Sequence, residues 1–128
     1  MPREGEQGFQ VSKQSETPSR RRSRRATVDF PMTVIVPGNE LVIAGNALDL
    51  SAGGVRIATP TDLPQGQAVV LRFTLPKTDR EALVRGRVVL SFFDASTKRY
   101  AHGIAFTQIA RQDQEQIAKL VDGSADTP

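Results

Sequence analysis

Two short segments of the chain carry side chains that could bind a charged, hydrogen-bonding ligand. Between Arg20 and Arg25, five of six residues are arginine, and each guanidinium offers planar donors that match phosphate oxygens. Further on, the turn that begins at Asp49 contains a carboxylate, a hydroxyl and two glycines, Gly53 and Gly54. Together the segments predict a site for a small ligand that carries both phosphates and bases with hydrogen-bonding edges.

Each segment alone has a simpler explanation. A basic run is most often a solvated or nonspecific electrostatic arm, and Asp, Ser and Gly commonly form turns without binding anything. Their positions along the chain favour a shared site. The arginine run precedes a predicted strand from Thr27, and the turn follows the returning strand to Leu50. Because the outer ends of such a hairpin lie near each other, we expect the segments to meet and form a pocket.

The composition restricts the classes of protein. A chain of 128 residues suits one domain, and the absence of cysteine excludes disulfides and zinc–thiolate sites. The net charge is +3, yet the arginine run exceeds it, so the remainder is slightly acidic and favours a local anion site over a broad nucleic-acid surface. With no apolar run of membrane-spanning length and no apolar leader, we expect a soluble cytoplasmic protein.

The apolar pattern predicts an all-β fold. From Thr27 onward, apolar residues alternate in six segments separated by turn residues, which is typical of a six-stranded antiparallel β-barrel. Pro31 lacks an amide proton, so the first strand should lie at an edge or start irregularly.

The two ends of the chain have a different composition. The spacing of Ile117, Leu120 and Val121 predicts a short C-terminal helix that ends at Gly123. Residues 1–19 are predicted to form a disordered tail, 20–122 the domain, and 123–128 a flexible terminus.

The arginine run and the turn at Asp49 resemble those of a known family. Arg21 and Arg25, then Asp49-x-Ser51-x-x-Gly54, look like the paired motifs of the PilZ domain, the bacterial receptor module for cyclic di-GMP. The resemblance continues through Gly86-Arg-Val-Val and Tyr100-Ala-His-Gly-Ile-Ala-Phe106, and it covers roughly residues 20 to 121.

The resemblance implies roles for individual residues. Arg21 and Arg25 would hold phosphates and guanine edges, while Asp49 and Ser51 would contact guanine and Gly54 would allow close backbone approach. The pair Arg20 and Arg24 has the same spacing; Arg21 with Arg25 is preferred because the following residues then match the first strand of the family.

Two further positions bear on how the ligand would bind. In the preferred register Arg20 directly precedes the motif, which implies that an intercalated pair of ligand molecules could bind in place of one. Leu90 stands where many relatives have an aromatic residue, so stacking on a purine is reduced there.

The implied function is a cyclic di-GMP receptor or adaptor that orders its arginine segment on binding and signals to an effector protein. Two alternatives are a ligand-independent protein-interaction module and an electrostatic adaptor for nucleic acid or anionic lipid. No enzyme activity or cofactor is predicted, because the single histidine, His102, has no nucleophile pattern beside it and no Gly-x-x-x-x-Gly-Lys loop of a nucleotide hydrolase is present. No metal is predicted, because the aspartates are scattered over strand ends and turns. The effector and the oligomeric state stay open.

Overall fold

The computed structural model describes the backbone of residues 24–126 and the side chains of residues 24–123. Its strands are β1 (Ala26–Val36), β2 (Leu41–Ser51), β3 (Gly54–Thr59), β4 (Ala68–Thr74), β5 (Glu81–Asp94) and β6 (Arg99–Gln108), and helix α1 (Arg111–Asp126) follows them. Each strand pairs antiparallel with its neighbours, and the sheet closes in the order β1-β2-β3-β6-β5-β4. The predicted six-stranded antiparallel barrel with a C-terminal helix is confirmed.

The alternating apolar residues fill the interior of the barrel. In β1 the inward positions are Met32, Val34 and Val36, all of which are buried. Every other strand contributes to the same core, including Leu50, Ile57, Leu71, Val84 and Ile104. Burial of each such side chain stabilises the fold by roughly 1.5–3 kcal/mol. Because side chains alternate along a strand, burying these residues places the residues between them on the outer face.

Pro31 occupies a part of β1 that does not need its amide proton. It lies opposite Asn46 of β2, whereas β1 pairs with β4 only from Thr33 to Ile35. The β1–β2 register also shifts between Thr27 and Phe30. The predicted irregular start of this strand is confirmed, although closure of the barrel makes β1 an internal strand.

A bulge near the outer end of β5 changes which of its residues point into the barrel. Through Val88 the even-numbered residues point inward and are buried, but the β5–β6 register shifts between Val88 and Leu90. Beyond that point Ser91 faces the buried His102, and Leu90 and Phe92 point outward with 48% of each side chain exposed.

Helix α1 packs on the barrel through Ile117 and Val121, both of which are buried. It does not end at Gly123 as the sequence predicted, because it continues to Asp126; Gly123 lacks the positive φ of a glycine cap. Over residues 24–126, no helix combines the length and apolar character needed to span a membrane.

Candidate functional site

Arg25 and Asp49 are brought together by the pairing of β1 with β2. Arg25 immediately precedes β1, and Thr27 lies opposite Asp49. The Arg25 Nη1 donates to Asp49 Oδ1 across 2.6 Å. The Asp49 side chain is 18% exposed and that of Arg25 46% exposed, so the carboxylate is set into the surface while the guanidinium stays accessible.

Arg56 approaches the other oxygen of the same carboxylate. Its Nε lies 3.4 Å from Asp49 Oδ2, because Arg56 of β3 pairs directly with Asp49 of β2. Arg56 was not among the predicted site residues. The signal was present: Val55 and Ile57 are core residues, so alternation points Arg56 outward.

A row of four residues crosses the outer face of the sheet at this level. Asp49 pairs with Arg56, Arg56 with Gly103 of β6, and Gly103 with Leu90 of β5; we call these residues the outer row. The row spans three inter-strand spacings, roughly 14 Å. Gly103 has no side chain, so the backbone is partly exposed between the Arg56 cation and the aliphatic side chain of Leu90. A Cβ at this position would lie 3.4 Å from Leu90 Cβ and would fill the gap. The result is a shallow shelf.

The Asp49–Gly54 turn is held by its own hydrogen bonds. Ser51 is 5% exposed, its Oγ donates to the Gly54 carbonyl at 3.3 Å, and the same Oγ accepts from the Gly53 N–H at 3.3 Å. On the other side, Gln114 Nε2 of α1 donates to the Ala52 carbonyl at 3.1 Å. The Ser51 hydroxyl is therefore directed into the turn.

The two predicted glycines have different surroundings. Gly53 is exposed, and a Cβ there would meet no atom within 4 Å. Gly54 is buried and pairs with Ala105; a Cβ there would overlap the Ile104 carbonyl oxygen. The close approach at Gly54 is thus to the backbone of β6.

Arg24 contacts the C-terminal helix. Its Nη1 lies 3.4 Å from Asp122 Oδ1, and both side chains are well exposed. Thus Arg25 contacts Asp49 while Arg24 reaches α1. Arg20 and Arg21, like the predicted tail of residues 1–19, lie outside the described residues.

His102 is a buried structural residue. Its ring nitrogens lie 2.9 Å from Thr59 Oγ1 and 3.0 Å from Ser91 Oγ, and the ring stacks on Tyr100. Burial lowers the pKa of His102, and this outweighs the hydrogen bond that the Thr61 carbonyl accepts and the charge of Asp62, both of which favour the protonated ring. The neutral ring thus links β3, β5 and β6 inside the barrel.

Two further features bear on ligand chemistry. Among residues 24–126, no three His, Cys, Asp or Glu side chains are grouped so as to hold a metal ion. A cavity of about 590 Å³ lies beside the first half of β1, with Phe30, Leu75 and Leu120 in its lining. The lining of this cavity includes neither Asp49 nor Arg56. These two charged residues therefore lie on the open surface of the outer row and not in the cavity.

Comparison with protein families identifies the family to which the chain belongs. The family model of the PilZ domain matches residues 19–123, which include the arginine run, the Asp49–Gly54 turn and all six strands. The chain therefore belongs to the PilZ domain family.

Solved structures show the same fold. The inhibitor of motility MotI/DgrA from Bacillus subtilis is 17% identical with a TM-score of 0.68 over 77% of this chain, which spans about half of that protein (48%). The PilZ domain of CeSA from a cellulose-synthesizing bacterium is 23% identical, TM-score 0.54, covering 77% of this chain and 95% of that one. The PilZ domain of Escherichia coli YcgR, solved with c-di-GMP, is 10% identical, TM-score 0.57, covering 79% and 88%. No curated protein matches the chain.

Proposed function

We propose that this protein is a cyclic di-GMP receptor that acts as an adaptor and has no enzyme activity. The observation that carries the proposal is the contact of Arg25 and Arg56 with the two oxygens of Asp49, beside the bare surface at Gly103. Membership of the PilZ family supports it, as does the YcgR domain solved with c-di-GMP.

The charges of the site suit the two halves of the ligand. An ionised carboxylate only accepts hydrogen bonds, and the Watson–Crick edge of guanine offers adjacent N–H donors, so Asp49 is proposed to hold a guanine. Arg25 and Arg56 would then transfer from the carboxylate to phosphate oxygens, which guanidinium groups bind with two parallel hydrogen bonds. Each ionic group exchanges one charged or polar partner for another, so no group loses its pairing.

The outer row gives the base a surface to lie on. Gly103 allows a planar ring to approach the backbone, Leu90 supplies an aliphatic contact, and the Arg56 guanidinium can stack on the ring. Gly53 is a proposed backbone contact because it is exposed. Ser51 is a proposed guanine contact that requires its hydroxyl to leave the Gly54 carbonyl.

The arginine segment is proposed to carry the signal. Arg20 and Arg21 would add phosphate contacts to that of Arg25, and their extra charge suits one ligand or an intercalated pair. Ordering a segment costs roughly 2–5 kcal/mol, and each hydrogen bond to a charged group contributes roughly 1.5–3 kcal/mol. Several arginines must therefore bind before the ordered state is favoured.

Helix α1 offers a path from the site to an effector. Arg24 contacts Asp122 near its end, and Gln114 contacts the Asp49–Gly54 turn. An exposed ion pair contributes only about 0.2–1 kcal/mol, so ligand phosphates can displace Asp122 from Arg24. The surface around the end of α1 would then differ between the free and bound protein, and an effector could distinguish them.

Calorimetric titration with cyclic di-GMP tests the proposal. Arg25→Ala and Asp49→Ala each remove a charged hydrogen-bond partner, and the corresponding loss is roughly 10- to 150-fold in affinity. Arg72→Ala is the matched control: this arginine of β4 is 48% exposed against 46% for Arg25, and its pair with Glu81 is 3.8 Å long. We expect the control to bind like the wild type, and the titration also counts ligands per chain.

Other nucleotides separate the proposal from the alternatives. Cyclic di-AMP has the same phosphates without the donor edge of guanine, so it should bind much more weakly than cyclic di-GMP. No heat with the folded wild type at roughly tens of micromolar ligand would contradict the receptor function. Binding that persists in Asp49→Ala, ignores the base and falls steeply with salt would instead indicate an electrostatic adaptor.

A further inference from the structure

The outer end of β5 has a free edge. On the side away from β6, β4 pairs with β5 only as far as Arg87, and the backbone of Gly66 and Gln67 then bonds Val88. Within residues 24–126, no strand pairs with the following stretch from Val89 to Phe93 on that side. Four of its side chains are about half exposed: Val89 (50%), Leu90 (48%), Phe92 (48%) and Phe93 (53%).

The strand residues of this edge lack the features that usually prevent association, and within the described part of the chain their one charged contact is that of Ser91 with Asp62 of the loop before β4. Exposed edges in natural sheets are commonly protected by charged side chains, proline or short length. The stretch Val89-Leu-Ser-Phe-Phe93 contains neither charge nor proline, and the nearest charged residues of the strand are Arg87 and Asp94. An exposed apolar stretch of this kind on an unpaired edge is available for interaction with another strand.

We propose that this edge pairs with the same edge of a second copy of the chain, antiparallel about a two-fold axis at Ser91. A two-fold interface must be complementary to itself, and the stretch has two apolar residues on each side of Ser91. In this register Leu90 faces Phe92 of the second copy, and Val89 faces Phe93. The five paired residues carry no charge themselves, but Asp62 Oδ1 accepts a hydrogen bond from Ser91 Oγ at 2.9 Å. The two Asp62 carboxylates would therefore lie near each other at the axis, and their repulsion weakens the pairing.

The size of the patch sets the strength of the pairing. The exposed halves of these four side chains amount to roughly 350 Å² of surface on each copy. Stable interfaces bury roughly 600 Å² or more on each side. Backbone hydrogen bonds between the two edges fix the antiparallel orientation of the strands and add little to the affinity. The dimer is therefore weak and depends on protein concentration.

The pairing would also complete the outer row, a consequence that rests on the proposed function. Leu90 is the last residue of the row, and Phe92 of the second copy lies directly opposite it on the same outer face. A base on Gly103 and Leu90 would then reach an aromatic ring from the second copy. That ring supplies the stacking surface that Leu90, being aliphatic, lacks.

Sedimentation of the ligand-free protein between roughly 10 µM and 1 mM tests the pairing. The wild type is expected to shift from monomer to dimer over this range, while Phe92→Lys stays monomeric because two lysines would lie near the axis. Leu83→Lys is the matched control: Leu83 lies on β5, is 63% exposed and pairs with Arg72 in the half that β4 covers. It should dimerise like the wild type, and thermal melts establish that both variants fold.

A wild type that stays monomeric throughout contradicts the proposal, and so does equal loss of dimer in the two lysine variants. Cross-linking tests the register, because the natural sequence has no cysteine. A mixture of Leu90→Cys and Phe92→Cys should form disulfides mainly between the two variants, several-fold faster than either variant with itself. Equal rates would exclude an axis at Ser91.

A ligand titration at dimer-forming concentration tests the contributed ring. Phe92→Ala should bind cyclic di-GMP at least about five-fold more weakly than Phe92→Tyr, which keeps the ring. Equal affinities contradict the ring contribution. Absence of binding by the wild type contradicts the proposed function instead, and sedimentation without ligand decides the pairing in either case.

Discussion

Two adjacent glycines of the turn provide a stringent test of the local packing. Alanine at Gly54 would place its Cβ against the Ile104 carbonyl oxygen and 3.5 Å from Ala105 Cα. These are backbone atoms of the paired strand, so β3 and β6 must separate to relieve the overlap. At Gly53 the Cβ would meet nothing within 4 Å, and the backbone lacks the positive φ that would strain alanine.

The expected free energies of unfolding follow from these surroundings. Overpacking of this kind costs roughly 1–3 kcal/mol, of which the reduced entropy of the unfolded chain recovers roughly 0.4–1 kcal/mol. Gly54→Ala should therefore lower the stability by roughly 1–2 kcal/mol. Gly53→Ala keeps the hydrogen bonds of its N–H to Ser51 Oγ and of its carbonyl to Phe106, and it should be neutral or slightly stabilising.

Urea denaturation of the wild type and both variants measures these differences. Unchanged m-values would show that the surface area exposed on unfolding is the same in all three proteins. If Gly54→Ala matched the wild type in stability and lost only ligand affinity, the glycine would serve ligand approach, as the family resemblance implied, and the steric argument from β6 would be refuted. Equal destabilisation by both variants would refute it as well.

Two further predictions concern buried polar groups. Because the pKa of His102 is lowered from 6.5 in the folded protein, the unfolded chain binds the proton first; stability should fall by up to about 1 kcal/mol between pH 6.5 and 5.5, and urea denaturation of His102→Gln should lack this slope. Arg80 Nε lies 2.9 Å from Oδ1 of the buried Asp113, an oxygen that has no hydrogen bond and depends on this ion pair. Arg80→Ala should therefore destabilise the fold by about 1–3 kcal/mol, whereas Arg111→Ala, which removes an exposed pair with Glu115, should change the melting temperature little. A loss that is equal in both arginine variants, or a pH slope that persists without the histidine, would contradict these assignments.

Much of the fold was predictable because it depends on local pattern. Alternation at positions such as Met32, Val34 and Val36 follows directly from the pleat of a strand, and turn residues mark where strands end. The end of α1 was predicted wrongly, since a glycine stops a helix only when it adopts a left-handed conformation, and Gly123 does not. Helix ends depend on φ, which residue type alone does not determine.

The candidate site was predictable only in its motif residues. Arg25 and Asp49 were expected to meet because a hairpin brings its outer ends together, and the structure places them in contact. The roles of Ser51 and Gly53 in ligand binding, and those of Arg20 and Arg21, stay predictions. Gly54 was expected to face a ligand, and the structure shows that the β6 backbone already occupies the space of its missing side chain.

By itself, the sequence determined the strand periodicity, the number of strands and the charged residue types of the site. Only the tertiary structure decided which of these residues share a surface. Arg56, Gly103 and Leu90 are far apart along the chain, and they align with Asp49 because strand register, set by side-chain packing over the whole barrel, places them in one row. The bulge after Val88 turns Leu90 and Phe92 outward. A single inserted residue exchanges the two faces of a strand, and the alternation of apolar residues does not predict where this occurs.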